Sequence, residues 1–337
     1  MIESVIHNMK QNIFSIFFLT FLFVFASEET RGQNWEAITS TNNCTNRHEN
    51  SFVAVGNELV LVGGRGIKPV EVLNPTTNTW TKKVATPIEM HHFQAIAYNN
   101  ELWVIGAFTG KYPHETPIPN IYIFNSQKNE WRVGPEIPKE RQRGAAAAFV
   151  YKNKIYIVCG IMDGHWDGDV AWFDEYDPRT NTWRRLPDAP HVRDHAQAVE
   201  SGNKVYIAGG RRTSGKTNEV FSLTESAVDI FDFKTNSWKT LPAAQNLPTP
   251  RAGTSSVVYQ NKVLVIGGES AQATSHNDVE ALDTKTLTWE KWSKLKQGRH
   301  GTGVGKLKEK LYVAAGSGNR GGGPELNSVE VLISNKK

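Results

Sequence analysis

Cysteine is nearly missing from this sequence: there are two, Cys44 and Cys159, in 337 residues. A disulfide framework is therefore excluded as the device that holds the fold. No segment shows helical periodicity, and the one continuous apolar run, Ile13 to Phe25, is too short for a comfortable membrane span. Charge of one sign is also scarce. A net charge of +4 is too mild to argue for nucleic acid by itself, and none is expected as a partner. The glycine-rich stretch Gly316 to Gly323 has no helix after it, only a strand-like Val329 to Ile333, so a nucleotide-type phosphate loop is excluded too.

What the chain does have is a repeat. Lys154 to Gly160 (KIYIVCG) is an apolar strand running into a doublet of small residues, and Tyr176 to Trp183 (YDPRTNTW) is a strand, a polar turn and a Thr-Trp pair. The same arrangement recurs at Leu59 to Gly64 with Trp80, Leu102 to Ala107 with Trp131, Val205 to Gly210 with Trp238, and Val263 to Gly268 with Trp289. A sixth copy, Leu311 to Gly316, has no Trp after it. The second doublet residue falls at 64, 107, 160, 210, 268 and 316, giving spacings of 43, 53, 50, 58 and 48. Repeats of that length with strand content mean β-propeller blades. Trp35 stands alone ahead of the first blade. It is expected on an N-terminal strand that completes the last blade and closes the ring, leaving no open sheet edge. The fold class is all-β, a six-bladed propeller.

With the Gly-Gly doublet and later aromatics repeated six times, the chain resembles the kelch-repeat family over roughly residues 34 to 333. Propellers host unrelated activities, so the resemblance implies the fold and little about chemistry. Two members offer a comparison. The galactose oxidase propeller carries a copper–radical site that needs two tyrosines, one cross-linked to cysteine, and two histidines. Here only Tyr112 lies in a loop of the right face and neither cysteine accompanies it, so that chemistry is not expected. The secreted six-bladed kelch mutarotase of sialic acid is similar in blade number and length, but no distinctive motif carries its catalytic residues onto this chain.

Residues 1–30 resemble a secretory signal: Lys10 precedes the apolar run, and small residues near Ala26 offer a cleavage site before Ser27. Either Met1 or Met9 serves as the start. The expected product is an exported propeller over 31–337, periplasmic or extracellular, monomeric and without a membrane span. The sequence Asn43-Cys44-Thr45 is a formal glycosylation sequon, which matters only in a eukaryotic host. Both cysteines read as small buried hydrophobes, since a bond between them would bridge non-adjacent blades.

The turns within blades, such as Gly56-Asn57, Lys152-Asn153 and Asp177 to Asn181, are ordinary turn chemistry on one face of the disc. The segments leading into each blade, and the loops after each doublet, share the other face. They hold ten of the fifteen arginines and nine of the ten histidines. Loops on a rigid scaffold are where binding and catalysis concentrate. Arg47, Arg143, Arg193, Arg251 and Arg299 are expected to point at the axis and, with Arg65 and Arg211, to focus positive potential there. An acidic carbohydrate, carboxylated or sulfated, is the expected ligand. His165, Glu269 and Trp166 join the candidate binding set, with Trp166 as a stacking platform. His48, Glu49, His92, Asp194, His195 and His300 are the acid/base candidates, suited to mutarotase, epimerase or lyase chemistry. No cofactor and no metal site is expected, because no tight ligand spacing exists and the arginines would repel a cation. The loop Arg211 to Ala227 is either a lid or a solvated excursion. The alternative function is a non-catalytic protein-interaction propeller.

Overall fold

The computed structural model describes Gln33 to Ser334, and the presequence expected over residues 1–30 lies outside the described residues. Six four-stranded antiparallel sheets follow one another along the chain. Blade 3 shows the pattern: Ala147–Tyr151, Lys154–Val158, Phe173–Asp177 and Thr182–Leu186, within a residue or so of the bounds expected from sequence. Blade 6 consists of Val304–Leu307, Lys310–Ala314 and Val329–Ser334, completed by the N-terminal strand Gln33–Ile38, with Trp35 opposite Leu332. The ring is therefore closed by pairing the two ends of the chain within one blade.

The core lies between the blades. Six apolar clusters each join two neighbours: blades 1 and 2 through Val62 and Val104, 2 and 3 through Ile105 and Ile157, and 3 and 4 through Val158 and Ile207. Val265 with Tyr206, Ile266 with Val313, and Leu61 with Val329 complete the circle. Cys44 belongs to the blade 6/blade 1 cluster and Cys159 to the blade 3/blade 4 cluster. They are buried and unbonded, as expected, and burial pushes both thiols up to about 12.

The small doublets place the functional face. Each first doublet residue ends its strand in the left-handed region, Cys159 and Ala315 included, and the second lets the segment leading into its own blade cross closely. A Cβ at Gly160 would lie 2.7 Å from the Gly144 carbonyl oxygen, and one at Gly316 2.6 Å from that of His300. The same residues stitch blades together: the Gly160 N–H donates to the Arg193 carbonyl at 2.9 Å, and the Gly316 N–H to the Arg47 carbonyl at 2.9 Å across the closure.

Candidate functional site at the propeller axis

The arginines that the sequence aims at the axis are not there. Arg47, Arg143, Arg193, Arg251 and Arg299 are buried, each paired with a carboxylate on the third strand of its own blade: Glu71, Asp174, Asp229, Glu280 and Glu330. Further donors of each go to backbone carbonyls, as Arg251 shows with Gly267 at 2.6 Å and Val265 at 3.0 Å. The expectation of an arginine-lined mouth is corrected on this point. A guanidinium fork with five donors is the group best able to satisfy carbonyls left over at a strand end, and burial forces it to take them. Blade 2 does without the pair, placing Met90 and Tyr122 in the apolar cluster at the corresponding positions.

Two residues after each of these positions the chain reaches the axis. Glu49, His92, Ala145, His195, Gly253 and Gly301 all have positive φ, between 48° and 62°. Their amides form a ring. His92 N–H donates to Glu49 O at 3.0 Å, Ala145 to His92 at 3.0 Å, His195 to Ala145 at 3.2 Å, Gly253 to His195 at 2.8 Å, and Gly301 to Gly253 at 3.0 Å. Asn50 N–H closes the circle on Gly301 O at 3.1 Å. Below it, Gln94 reaches from blade 2 to Ala148 and Ala198, and Gln197 from blade 4 to Ser256 and Thr302, so the channel is crossed by hydrogen-bonded side chains.

Blade 3 offers only a methyl group at Ala145, and His165 comes over from the loop after its doublet. His92, His165 and His195 then stand with ring centroids 4.9–5.0 Å apart. Each has its Nδ1 engaged behind it. His165 Nδ1 meets Glu115 at 2.9 Å, His195 Nδ1 meets Asp194, and His92 Nδ1 meets His91 Nδ1 at 2.5 Å. Asp194 in turn accepts the Thr213 amide at 2.7 Å and its hydroxyl at 2.7 Å. Beside the trio, Glu49 lies 3.4 Å from His92 Nε2 and 3.5 Å from His300 Nε2, and Glu269 lies 3.2 Å from His300 Nε2. Arg211 pairs with Glu269 and lies over the Phe221 ring, 5.3 Å from its centroid.

The electrostatics divide the group. Burial pushes His91 down to about 4 and lowers His92 and His165 as well. Against the same burial, the neighbouring carboxylates Glu269 and Glu49 raise His300. Against the cost of burial, hydrogen bonds from His165 and Arg65 hold Glu115 at about 2, and burial followed by the charge of Asp194 pushes Asp169 up to about 10. Two sets of three groups have the donors a metal ion would need: His92, His165 and His195, and Glu49, Glu269 and His300.

Above the ring opens a cavity of about 440 Å³, lined by His48, Glu49, Arg65, His92, Tyr112, His165, Arg211, Phe221 and Glu269 among others. His48 is tied to Glu325 at 2.7 Å, and Arg65, 26% exposed, to Glu115 at 2.6 Å. Asp194 is fully buried behind His195 and touches no cavity. Trp166 is half-buried against His114, centroids 4.9 Å apart, and does not line the cavity. The loop Arg211 to Ala227 is no solvated excursion: Gly215 and Lys216 donate to the His165 and Trp166 carbonyls, and Val220 and Phe221 line the cavity. Glu115, Phe221 and Asp169 are the residues that sequence reasoning passed over, while Tyr112 was weighed only for copper–radical chemistry.

The KLHDC2/KLHL20/DRC7 Kelch-repeats domain matches residues 19–192 and 195–335. The chain is 27% identical over 291 residues to Kelch-like protein terF of Aspergillus terreus, covering 80% of this chain and 61% of that protein. It is 22% identical over 265 residues to Kelch-like protein 38 of Homo sapiens, covering 77% and 42%. The chain thus spans about three-fifths and two-fifths of the lengths of these relatives. Among solved structures, one titled "Structure of YjhT" superposes with a TM-score of 0.73 at 16% identity, covering 89% of this chain and 99% of that one, a likeness of fold.

Proposed function

This chain belongs to the kelch-repeat family, and from that premise we propose that it is a small-molecule propeller whose axial cavity takes a carboxylated or sulfated carbohydrate. The observation that carries the reading is the mixed lining of the cavity. Tyr112 and Phe221 supply apolar rings, Glu49 and Glu269 supply acceptors for hydroxyl groups, and Arg65 supplies a partly exposed fork for an acid group. The blade arginines are buried out of reach of a ligand, so anion binding falls to Arg65, which is paired with Glu115 but still 26% exposed. Glu49 and His300, 3.5 Å apart, are the parts for proton transfer on such a ligand, as a mutarotase, epimerase or lyase requires. Export of the chain, with removal of residues 1–30, is part of the same proposal and is checked by N-terminal sequencing of secreted material.

The test is a proton NMR time course of the purified protein with sialic acid, uronates and sulfated glycans. Interconverting ligand signals establish turnover, and broadening without change establishes binding alone. Silence across the panel with the wild-type protein, or binding that survives Arg65→Ala unchanged, defeats the reading. One observation favours protein interaction as a second reading: Ile67, Tyr112 and Met162, three of the large exposed apolar residues, lie in loops of the mouth face on blades 1 to 3. A purified kelch-domain partner whose binding is lost on Ile67→Ser and Met162→Ser, with the cavity untouched, would establish it.

A further inference from the structure

We propose that His92, His165 and His195 form a binding site for one divalent transition-metal ion of the zinc class, with its open coordination position facing Glu49 and the cavity. The inference goes beyond the carbohydrate reading and does not need it, since the metal is bound by the protein alone.

His91 Nε2 faces the Gly110 carbonyl at 3.2 Å, an acceptor only, so that nitrogen carries the hydrogen and His91 Nδ1 accepts. His92 Nδ1 must then be the donor in the contact at 2.5 Å, which leaves the His92 Nε2 lone pair bare. Glu115 and Asp194 are acceptors as well, so His165 and His195 donate from Nδ1 and are left with Nε2 in the same state. One ring nitrogen of each histidine lies within 4.8 Å of the others, and Nε2 is the nitrogen that each has free for a metal. The Glu49 carboxylate adds a fourth acceptor 3.4 Å from His92 Nε2.

Four acceptors facing one another repel, and a water molecule has only two hydrogens to offer them. A cation satisfies all of them. His195 Nε2 is buried with no partner among the described residues, and the side chain is 2% exposed, so solvent does not relieve it. Imidazole is a ligand for zinc and its neighbours in the first transition row, and zinc–nitrogen distances of about 2.0–2.1 Å need a nitrogen separation of roughly 3.4 Å. A modest inward turn of the rings provides it. Carboxylates behind ligating imidazoles are the usual outer shell of such sites, fixing the tautomer and raising basicity. Here Glu115 and Asp194 stand in those places. Three protein ligands with an open fourth position is the arrangement of catalytic rather than structural zinc.

The arginines raised against a cation on sequence grounds do not oppose it, since each is matched by a carboxylate. The second group of three, Glu49, Glu269 and His300, makes a weaker candidate. His300 Nδ1 donates to the Ser275 hydroxyl at 3.0 Å, because that hydroxyl donates onward to the Ser317 carbonyl, and Arg211 already pairs with Glu269.

The experiment is a calorimetric titration of zinc chloride, and an absorption titration of cobalt(II), into the full chain prepared without a polyhistidine tag and stripped of metal. One equivalent is expected to bind, with the intense d–d bands that four-coordinate cobalt(II) gives. His165→Ala should weaken binding on the order of 100-fold, and Glu115→Gln, which removes no ligand, by roughly 10- to 100-fold. His114→Ala, on an exposed histidine beside the cavity, should leave it unchanged. No binding by the wild-type protein, or equal affinity in wild type, His165→Ala and Glu115→Gln, overturns the site. Circular dichroism shows whether each variant is folded, and Glu115→Gln keeps the test open if His165→Ala is not. The titrations contain no carbohydrate and the NMR panel is repeated in chelator, so either reading can fail alone.

Discussion

Two circles of residues run round this propeller, two positions apart in sequence and opposite in character. The outer circle repeats: five of six blades place an arginine against a third-strand carboxylate, buried away from the axis. The inner circle keeps its backbone, six left-handed residues linked amide to carbonyl, but varies its side chains through Glu49, His92, Ala145, His195, Gly253 and Gly301. The repeated feature answers a need that every blade shares, namely satisfying carbonyls where the strand ends. The varied feature answers none that the blades share, since glycine alone suffices for that backbone. In a ring of repeats, then, departure from the repeat marks the site, and recurrence marks the scaffold.

The largest expected effect comes from breaking the outer circle. Arg251→Met leaves Glu280 buried without its partner and should cost about 3–5 kcal/mol in urea denaturation. Adding Glu280→Tyr copies the Met90 and Tyr122 solution of blade 2 and should recover most of the loss. If the single substitution proves silent, the outer circle is not the structural element described here. Next in size is a stabilisation. Zinc at a hundred times its dissociation constant should raise stability by about 2.7 kcal/mol, reversibly with a chelator, and should do nothing for His165→Ala.

Smaller effects test the inner backbone. Gly301→Ala puts a Cβ 2.9 Å from the Glu49 amide nitrogen and side-chain carboxyl carbon at a φ of 62°. It should cost about 1–2 kcal/mol and weaken any ligand held by Glu49. The smallest is a gain. Ala145→Gly relieves a left-handed alanine at φ 48° and should stabilise the fold by up to about 1 kcal/mol, read as a shift in the denaturation midpoint. Loss of stability there would show that the Ala145 methyl group packs rather than merely leaves room.

Much of the fold was legible. The strands of blade 3, the two unbonded cysteines and closure through Trp35 all followed from patterns a few residues long. The site was legible by its address but not by its membership. Histidines and arginines sort to one face in the sequence, yet residues of one short segment, Arg193, Asp194 and His195, have three fates. The first is buried in its blade, the second stands behind a histidine, and the third faces the axis. Sequence spacing does not separate them, because their directions are set by one left-handed residue and by which carbonyl the guanidinium finds. Glu115 carried no signal of its own, since its partners Arg65 and His165 lie on other blades, and Phe221 was marked only as part of the loop Arg211 to Ala227, not as a wall of the cavity.

By itself the sequence determined six blades, their order and the manner of closure, because strand alternation, turn residues and the small doublets act over short distances along the chain. Only the tertiary structure decided what meets at the centre. Bending the chain into a closed ring brings points from every blade to one axis, and there His92, His165 and His195 become neighbours although each is surrounded in sequence by residues of its own blade. The same closure turned the blade arginines away from that axis, since unsatisfied carbonyls inside each blade cost more than the axis could return.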